Sequence, residues 1–258
     1  LVLKLRGRKV DKESFTVLGF RETRWPRERG GAVKLWPLGP QGEPATFQKV
    51  SGFGMPGLAL LPDGKTLVSA IVTEYLQADY WKPVQSGLEE ETDSQTVARL
   101  TGAFCPPEAY RLRLPASPHL SADAEGVQID DSALTPPPAR PLVTEGAGGL
   151  MVPLNDRTTF LDVFARWQMP VILCARTALG TINHSLLSIA ALRRAGVPLH
   201  GVAFIGSAEP QVEDTICRMG AARHLGRLPR LGTVTPASLR AGFDAGFATY
   251  AFELGAHA

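Results

Sequence analysis

The rhythm of apolar and polar positions changes near residue 57. Over residues 1–57 apolar side chains recur with no steady period. They are interrupted by Trp25-Pro26, Arg29-Gly30-Gly31, Leu38-Gly39-Pro40 and Gly42-Glu43-Pro44, so this atypical segment is expected to be loop-rich or poorly ordered. From Leu58 an alternation of strand-like and helix-like patterns begins. Leu58–Leu61 reads as a short apolar strand, Pro62–Gly64 as a turn and Thr66–Leu76 as a helix. Asp79–Val84 is expected as the next strand, and Asp93–Thr101 as a helix with Val97 and Leu100 on one side. The proline-rich stretch Phe104–Pro138 is expected to hold loops and short helices. Leu142–Thr144 reads as a strand leading into a glycine turn, and Thr159–Trp167 as a helix. Val171–Ala175 is uninterruptedly apolar, the pattern of a strand covered on both faces. A helix from about Asn183 to Ala195, a stop at Gly196 and a strand at Gly201–Ile205 complete a βαβ unit.

Strands alternating with helices predict an α/β fold with a doubly wound, mostly parallel sheet. Right-handed crossovers then align the strand C-termini along one edge, where ligands bind in such folds. Residues 58–258 are expected to form this domain. The 258 residues suffice for a full hydrophobic core, and 44% apolar with 20% charged residues is a globular composition. No apolar run is long enough to span a bilayer, and the basic, charge-broken start lacks the block of a secretory signal, so a cytoplasmic protein without a membrane partner is expected. Opening on Leu1 rather than Met is what a chain starting inside a longer reading frame would show. Cys105, Cys174 and Cys217 are far apart with no CxxC spacing, which argues against disulfides and zinc. The net charge of +2 hides an excess of Lys and Arg within residues 1–50; without a known nucleic-acid motif this reads as a solvated tail, not a nucleic-acid surface.

Several short motifs carry candidate chemistry. Gly64-Lys65-Thr66 precedes a helix, where a phosphate-binding loop sets Lys against phosphates and Thr against Mg²⁺, although the same tripeptide also serves as a surface turn. Position 59, where that loop pattern wants glycine, is Ala. Glu145-Gly146-Ala147-Gly148-Gly149 puts a carboxylate at a strand end beside backbone N–H groups, or forms a plain glycine turn. Lys82–Gly87 follows a strand, and Ser117-Pro118-His119 and Gly180–His184 combine helix-capping residues with histidines that are equally readable as satisfied polar groups.

Together and in this order, Gly64–Thr66, Lys82–Gly87, Asp93, Ser117–His119, Glu145–Gly149 and Gly180–His184 resemble the dethiobiotin synthetases, from Gly64 to about Pro229. The resemblance implies a P-loop NTPase-like fold and an ATP-dependent ligase of biotin biosynthesis. There 7,8-diaminopelargonic acid takes up CO₂ as a carbamate, ATP converts it to a carbamic-phosphoric anhydride, and the second amine closes the ureido ring of dethiobiotin. It also implies that Lys65 and Lys82 are catalytic and that Thr66, Asp93 and Glu145 hold Mg²⁺. ATP would be bound by Gly64, Lys65, Thr66, Glu145, Gly226, Leu228 and Pro229. The substrate would meet Lys82, Ser86, Gly148, Gly180, Ile182 and Asn183, the last three on a helix contributed by the other subunit of a homodimer. Two departures stand out. Leu60-Leu61-Pro62-Asp63 replaces the family's Gly-Thr-Asp-like loop, and proline supplies no N–H to a phosphate. Phe204-Ile205-Gly206-Ser207 replaces an Asn-Asp used for the base in many members. A non-catalytic relative with a degraded phosphate loop, or another P-loop ATPase or amidoligase, is the alternative.

Overall fold

The computed structural model describes residues 15–19, 64–138, 141–248 and 250–253. Six parallel strands form its main sheet, in the spatial order β2 (Asp79–Trp81), β5 (Leu142–Glu145), β1 (Phe15–Gly19), β6 (Val171–Arg176), β7 (Leu199–Ile205) and β8 (His224–Leu228). A second sheet pairs β3 (Val84–Ser86) with β4 (Tyr110–Leu112), also in parallel. The helices are α1 (Gly64–Leu76), α2 (Asp93–Thr101), α3 (Pro118–Ala124), α4 (Phe160–Trp167), α5 (Thr181–Arg194), α6 (Pro210–Met219) and α7 (Pro236–Gly246).

The continuous apolar run of β6 divides its side chains between two cores, as the two-residue period of a strand requires. Ile172 and Cys174 join Val68, Ile71 and Val72 of α1, Leu100 of α2 and Leu239 of α7. Val171, Leu173 and Ala175 join Phe160 and Phe164 of α4, Leu192 of α5 and Ile216 of α6. Helices therefore cover both faces, which is the doubly wound arrangement expected. Each fully buried Val, Leu, Ile or Phe in these layers contributes about 1.5–3 kcal/mol relative to exposure. The element ends are set locally: Thr92 and Gln95 form a reciprocal capping box at the start of α2, and Gly102, with φ 71°, ends it.

Two expectations change, and one is not tested. Phe15–Gly19, inside the segment expected to be loops, is a strand between β5 and β6, with Phe15 opposite Val143 and Thr16 opposite Val171. Val17 is fully buried there, so an apolar pentapeptide gains both neighbours' hydrogen bonds and a place in the core. The expected strand at Leu58–Leu61 and its turn at Pro62-Asp63 lie outside the described residues. Asp79–Val84 is not one strand: the chain leaves β2 at Lys82-Pro83 and enters β3 in the other sheet, because proline cannot donate to a central ladder. Within Phe104–Pro138 the short helix α3 is present as expected, and β4 is an addition. Beyond Ile205, where the sequence reading assigns no helix or strand, lie α6, β8 and α7.

Candidate active site

The C-terminal ends of β2 and β5 meet the first turns of α1 and α2 at one point of the sheet edge. Because α1 begins at Gly64, Lys65 and Thr66 fall in its first turn, where backbone N–H groups lack intrahelical partners. A Cβ on Gly64 would lie 2.6 Å from Cγ2 of Ile205 at the end of β7, so only glycine fits this approach of helix to sheet. Asp93 opens α2, and its N–H donates to Oε1 of Gln85 on β3 at 3.4 Å.

Five side chains converge here. The Thr66 hydroxyl donates to Oδ1 of Asp93 at 3.0 Å and lies 3.3 Å from Oε1 of Glu145. Lys65 Nζ donates to the carbonyl of Gly146 at 2.8 Å and lies 3.1 Å from Oε1 of Glu145. Lys82 Nζ lies 2.5 Å from Oδ2 of Asp93 and 2.9 Å from Oε1 of Glu145. The other carboxylate oxygen, Oε2, accepts from Ser69 Oγ at 2.7 Å and from Tyr80 Oη at 3.0 Å. Lys65, Thr66, Lys82 and Glu145 are almost wholly buried, and the side chain of Asp93 keeps 19% exposure as the solvent-facing member.

Two ammonium groups against two carboxylates leave this buried cluster neutral, which is what makes its burial tolerable. For Glu145, burial opposes the charged form, but Lys82 and then Lys65 outweigh it and hold the carboxyl below its ordinary range. Burial likewise opposes a charged Lys82, and the fields of Asp93 and Glu145 overcome it, holding the ammonium above its usual range. Burial, then the charge of Glu145, pushes the Tyr80 hydroxyl well above the phenol range, so it stays a neutral donor. Three oxygens of different residues on one small volume, with two ammonium groups beside them, are suited to a hard divalent ion and an anion of high charge. Among the described residues no group of three or more His, Cys, Asp and Glu forms a metal set, so a cation here would share its shell with Thr66 and a ligand.

The sequence reading therefore names all five members of the cluster, Lys65, Thr66, Lys82, Asp93 and Glu145. Its remaining residues lie outside the cluster. Ser86 is buried on β3. Gly148, in the turn after β5, has φ 76°, and a Cβ there would meet Val152 Cγ2 at 2.8 Å. Gly180, with φ 90°, precedes α5, whose first turn carries the half-buried Ile182 and the exposed Asn183. Gly226 and the buried Leu228 lie in β8, with Pro229 directly after it. Ser117 and His119 pair with each other, Oγ to Nδ1, at 3.1 Å. Ser69 and Tyr80 were not singled out. Ser69 follows Thr66 by three positions, so helical spacing sets both on one face, whereas a tyrosine in a strand reads only as core.

A family model described as an AAA domain matches residues 63–238. The ATP-dependent dethiobiotin synthetase BioD of Agrobacterium fabrum is 61% identical over 184 residues, covering 70% of this chain and 87% of that protein. The protein of the same name from Afipia carboxidovorans is 57% identical over 189 residues, covering 71% and 90%. That of Bradyrhizobium sp. is 60% identical over 182 residues, covering 69% and 87%. Among solved structures, chloroplast FtsY from Physcomitrella patens overlays with a TM-score of 0.34 at 12% identity, over 69% of this chain and 60% of that one, and bears on neither fold nor function.

Proposed function

The chain belongs to the ATP-dependent dethiobiotin synthetase family, and from that premise we propose that the cluster of Lys65, Thr66, Lys82, Asp93 and Glu145 is where its phosphoryl transfer takes place. The activity is that of an ATP-dependent cyclo-ligase of biotin biosynthesis. A carbamate oxygen of the carboxylated 7,8-diaminopelargonic acid attacks the γ-phosphorus of ATP and ADP leaves. The second amine then attacks the carbamate carbon, closes the ureido ring and releases phosphate. The observation that carries the site assignment is the pair of buried ammonium groups, Lys65 and Lys82, both within 3.1 Å of one carboxylate oxygen at the head of α1.

Both lysines are held at the site by contacts that incoming phosphate oxygens can replace: Lys65 by Glu145 and the Gly146 carbonyl, Lys82 by Asp93, Glu145 and the Gly146 carbonyl. The N-terminal end of α1, with its helix dipole, is assigned to the phosphates, and Lys65 to their β/γ end. Lys82, in the link from β2 to β3, which carries the buried Ser86, is assigned to the carbamate and the charge that develops during transfer. Thr66, Asp93 and Glu145 fit Mg²⁺ by chemistry, since all three offer oxygen. When bound, Mg²⁺ neutralises phosphate charge and fixes the phosphates' orientation.

ATP is further assigned to Gly64, Gly226, Leu228 and Pro229, and the diamine to Gly148, Gly180, Ile182 and Asn183. The assembly proposed is a homodimer, supported by the exposed Leu179 just before α5 and Leu187 within it. Among the described residues no helix is long and apolar enough to cross a membrane; a cytoplasmic site of action is proposed. The ligase domain proposed keeps residues 58–258 and adds the strand Phe15–Gly19. The test of the assignment is turnover of 7,8-diaminopelargonic acid with bicarbonate and Mg-ATP, followed by mass spectrometry. Lys82→Ala is expected to abolish dethiobiotin formation while a folded protein remains; near-normal turnover in that variant removes Lys82 from the reaction.

A further inference from the structure

Glu145 treats its two oxygens differently. Oε1 faces the site and receives Lys82 at 2.9 Å, Lys65 at 3.1 Å and the Thr66 hydroxyl at 3.3 Å. Oε2 faces the core and accepts from two neutral, fully buried hydroxyls, Ser69 at 2.7 Å and Tyr80 at 3.0 Å. Resting on the site reading above, we propose that Ser69 and Tyr80 are positioning residues that fix the Glu145 carboxylate so that Oε1 stays directed at the metal once the lysines turn to phosphate.

The need for such a device follows from the contacts. Phosphate oxygens draw Lys65 and Lys82 away, so Oε1 loses two of its donors at the moment its direction matters, while both donors to Oε2 are unaffected. A glutamate side chain has three rotatable bonds, and ordering them costs conformational entropy unless neighbours already hold them. Ser69 and Tyr80 hold the far oxygen from two different elements. Ser69 lies one turn beyond Thr66 on α1, so a single helix face carries both the hydroxyl toward the metal and the hydroxyl behind the carboxylate. Tyr80 is in register with Val143, two residues before Glu145, which puts it on the same face of the sheet. Both donors are neutral, so they orient the carboxylate without cancelling the charge a cation requires. Partners behind a metal ligand commonly govern metal affinity in this way.

Tyr80→Phe keeps the ring in the core and removes only the hydroxyl; Ser69→Ala removes the other donor at even smaller structural cost. Mn²⁺ is the probe, titrated into the full chain with ATP and without the diamine, and bound Mn²⁺ is counted by electron paramagnetic resonance. Each variant is expected to bind Mn²⁺ about 10-fold more weakly than the parent, and the double variant about 100-fold. In turnover, kcat at low Mg²⁺ should fall and be restored by excess Mg²⁺, with KM for the diamine unchanged. If Tyr80→Phe does not fold, Ser69→Ala carries the test alone. Equal Mn²⁺ affinity in the parent and the folded variants overturns the positioning role and leaves the site reading intact. No Mn²⁺ binding by the parent chain with ATP overturns both.

Discussion

Replacing Lys82 by Met removes one ammonium group from the cluster while keeping an unbranched apolar side chain in nearly the same volume. Lys82 lies 2.5 Å from Asp93 and 2.9 Å from Glu145 with almost no exposure, so its loss leaves two carboxylates facing one remaining lysine. Removing one partner of a buried ion pair costs about 3–5 kcal/mol. For a domain of this size that lowers the unfolding midpoint by on the order of 10 °C. The pH dependence makes the cause identifiable. In the parent, the folded-state pKa of Lys82 is raised, so its contribution is fully present below the ordinary lysine range and is lost only as pH rises through the folded value. The parent's Glu145 is lowered, so its contribution is present above the ordinary carboxylate range and is lost as pH falls. In Lys82→Met, burial, already the largest single influence on Glu145, is left with only Lys65 to oppose it, so the carboxyl should move up from its parent position and protonation should relieve the variant. The gap in midpoint between the two proteins should therefore be largest near pH 8 and narrow toward pH 5, by differential scanning calorimetry. Adding Glu145→Gln to Lys82→Met should recover much of the loss at pH 8. A gap that is under 2 °C by this scale, or constant with pH, would refute the reasoning.

Other consequences are testable in the same way. His200 donates from Nε2 to the carbonyl of Ala251 at 2.8 Å. Burial holds its pKa below the ordinary range despite that bond, and Arg223 adds to the lowering. Its contribution is therefore present above the ordinary histidine range and lost as pH falls, and His200→Gln should flatten the decline in stability between pH 7 and 5 by up to about 1.4 kcal/mol per pH unit; an unchanged slope in urea titrations contradicts this. Phe252 is 1% exposed and packs edge-on to Tyr75 at 5.7 Å and against Phe243 and Phe247, so Phe252→Ala should cost about 3–5 kcal/mol, and a loss under 1 kcal/mol would show that this segment contributes little. Glu145→Gln in otherwise unaltered protein should weaken the Mg²⁺ dependence of turnover, and an identical Mg²⁺ titration would make Glu145 structural only.

How much of this was legible in the sequence depended on whether the signal was local. The βα alternation from Thr66 to Ile205 was readable because each element carries its own periodicity and stops. Gly64–Thr66, Lys82–Gly87 and Glu145–Gly149 stand at element ends but read equally well as turns; it was the resemblance of these motifs in their order that marked Lys65, Thr66, Lys82 and Glu145, and it alone supplied Asp93. The strand at Phe15–Gly19 was not, since five residues among basic neighbours have no local mark of centrality. It becomes a strand through pairing with Val143 and Val171, which are remote in sequence. The split of Asp79–Val84 into two sheets was visible in principle through Pro83, but Tyr80-Trp81 before it and Val84 after it masked it. The anchoring of Glu145 by Tyr80 is a contact between neighbouring strands, which no spacing along the chain reveals.

Thermal unfolding of the purified chain with and without Mg-ATP tests the central claim most directly, because the cluster at the head of α1 is assigned to phosphate. Nucleotide at a hundred times its Kd should add about 2.7 kcal/mol to the folded state and raise the midpoint by roughly 5–10 °C. The account predicts that shift in the parent and its loss in Lys65→Ala. A cooperative unfolding transition in the parent that Mg-ATP leaves unmoved would contradict it.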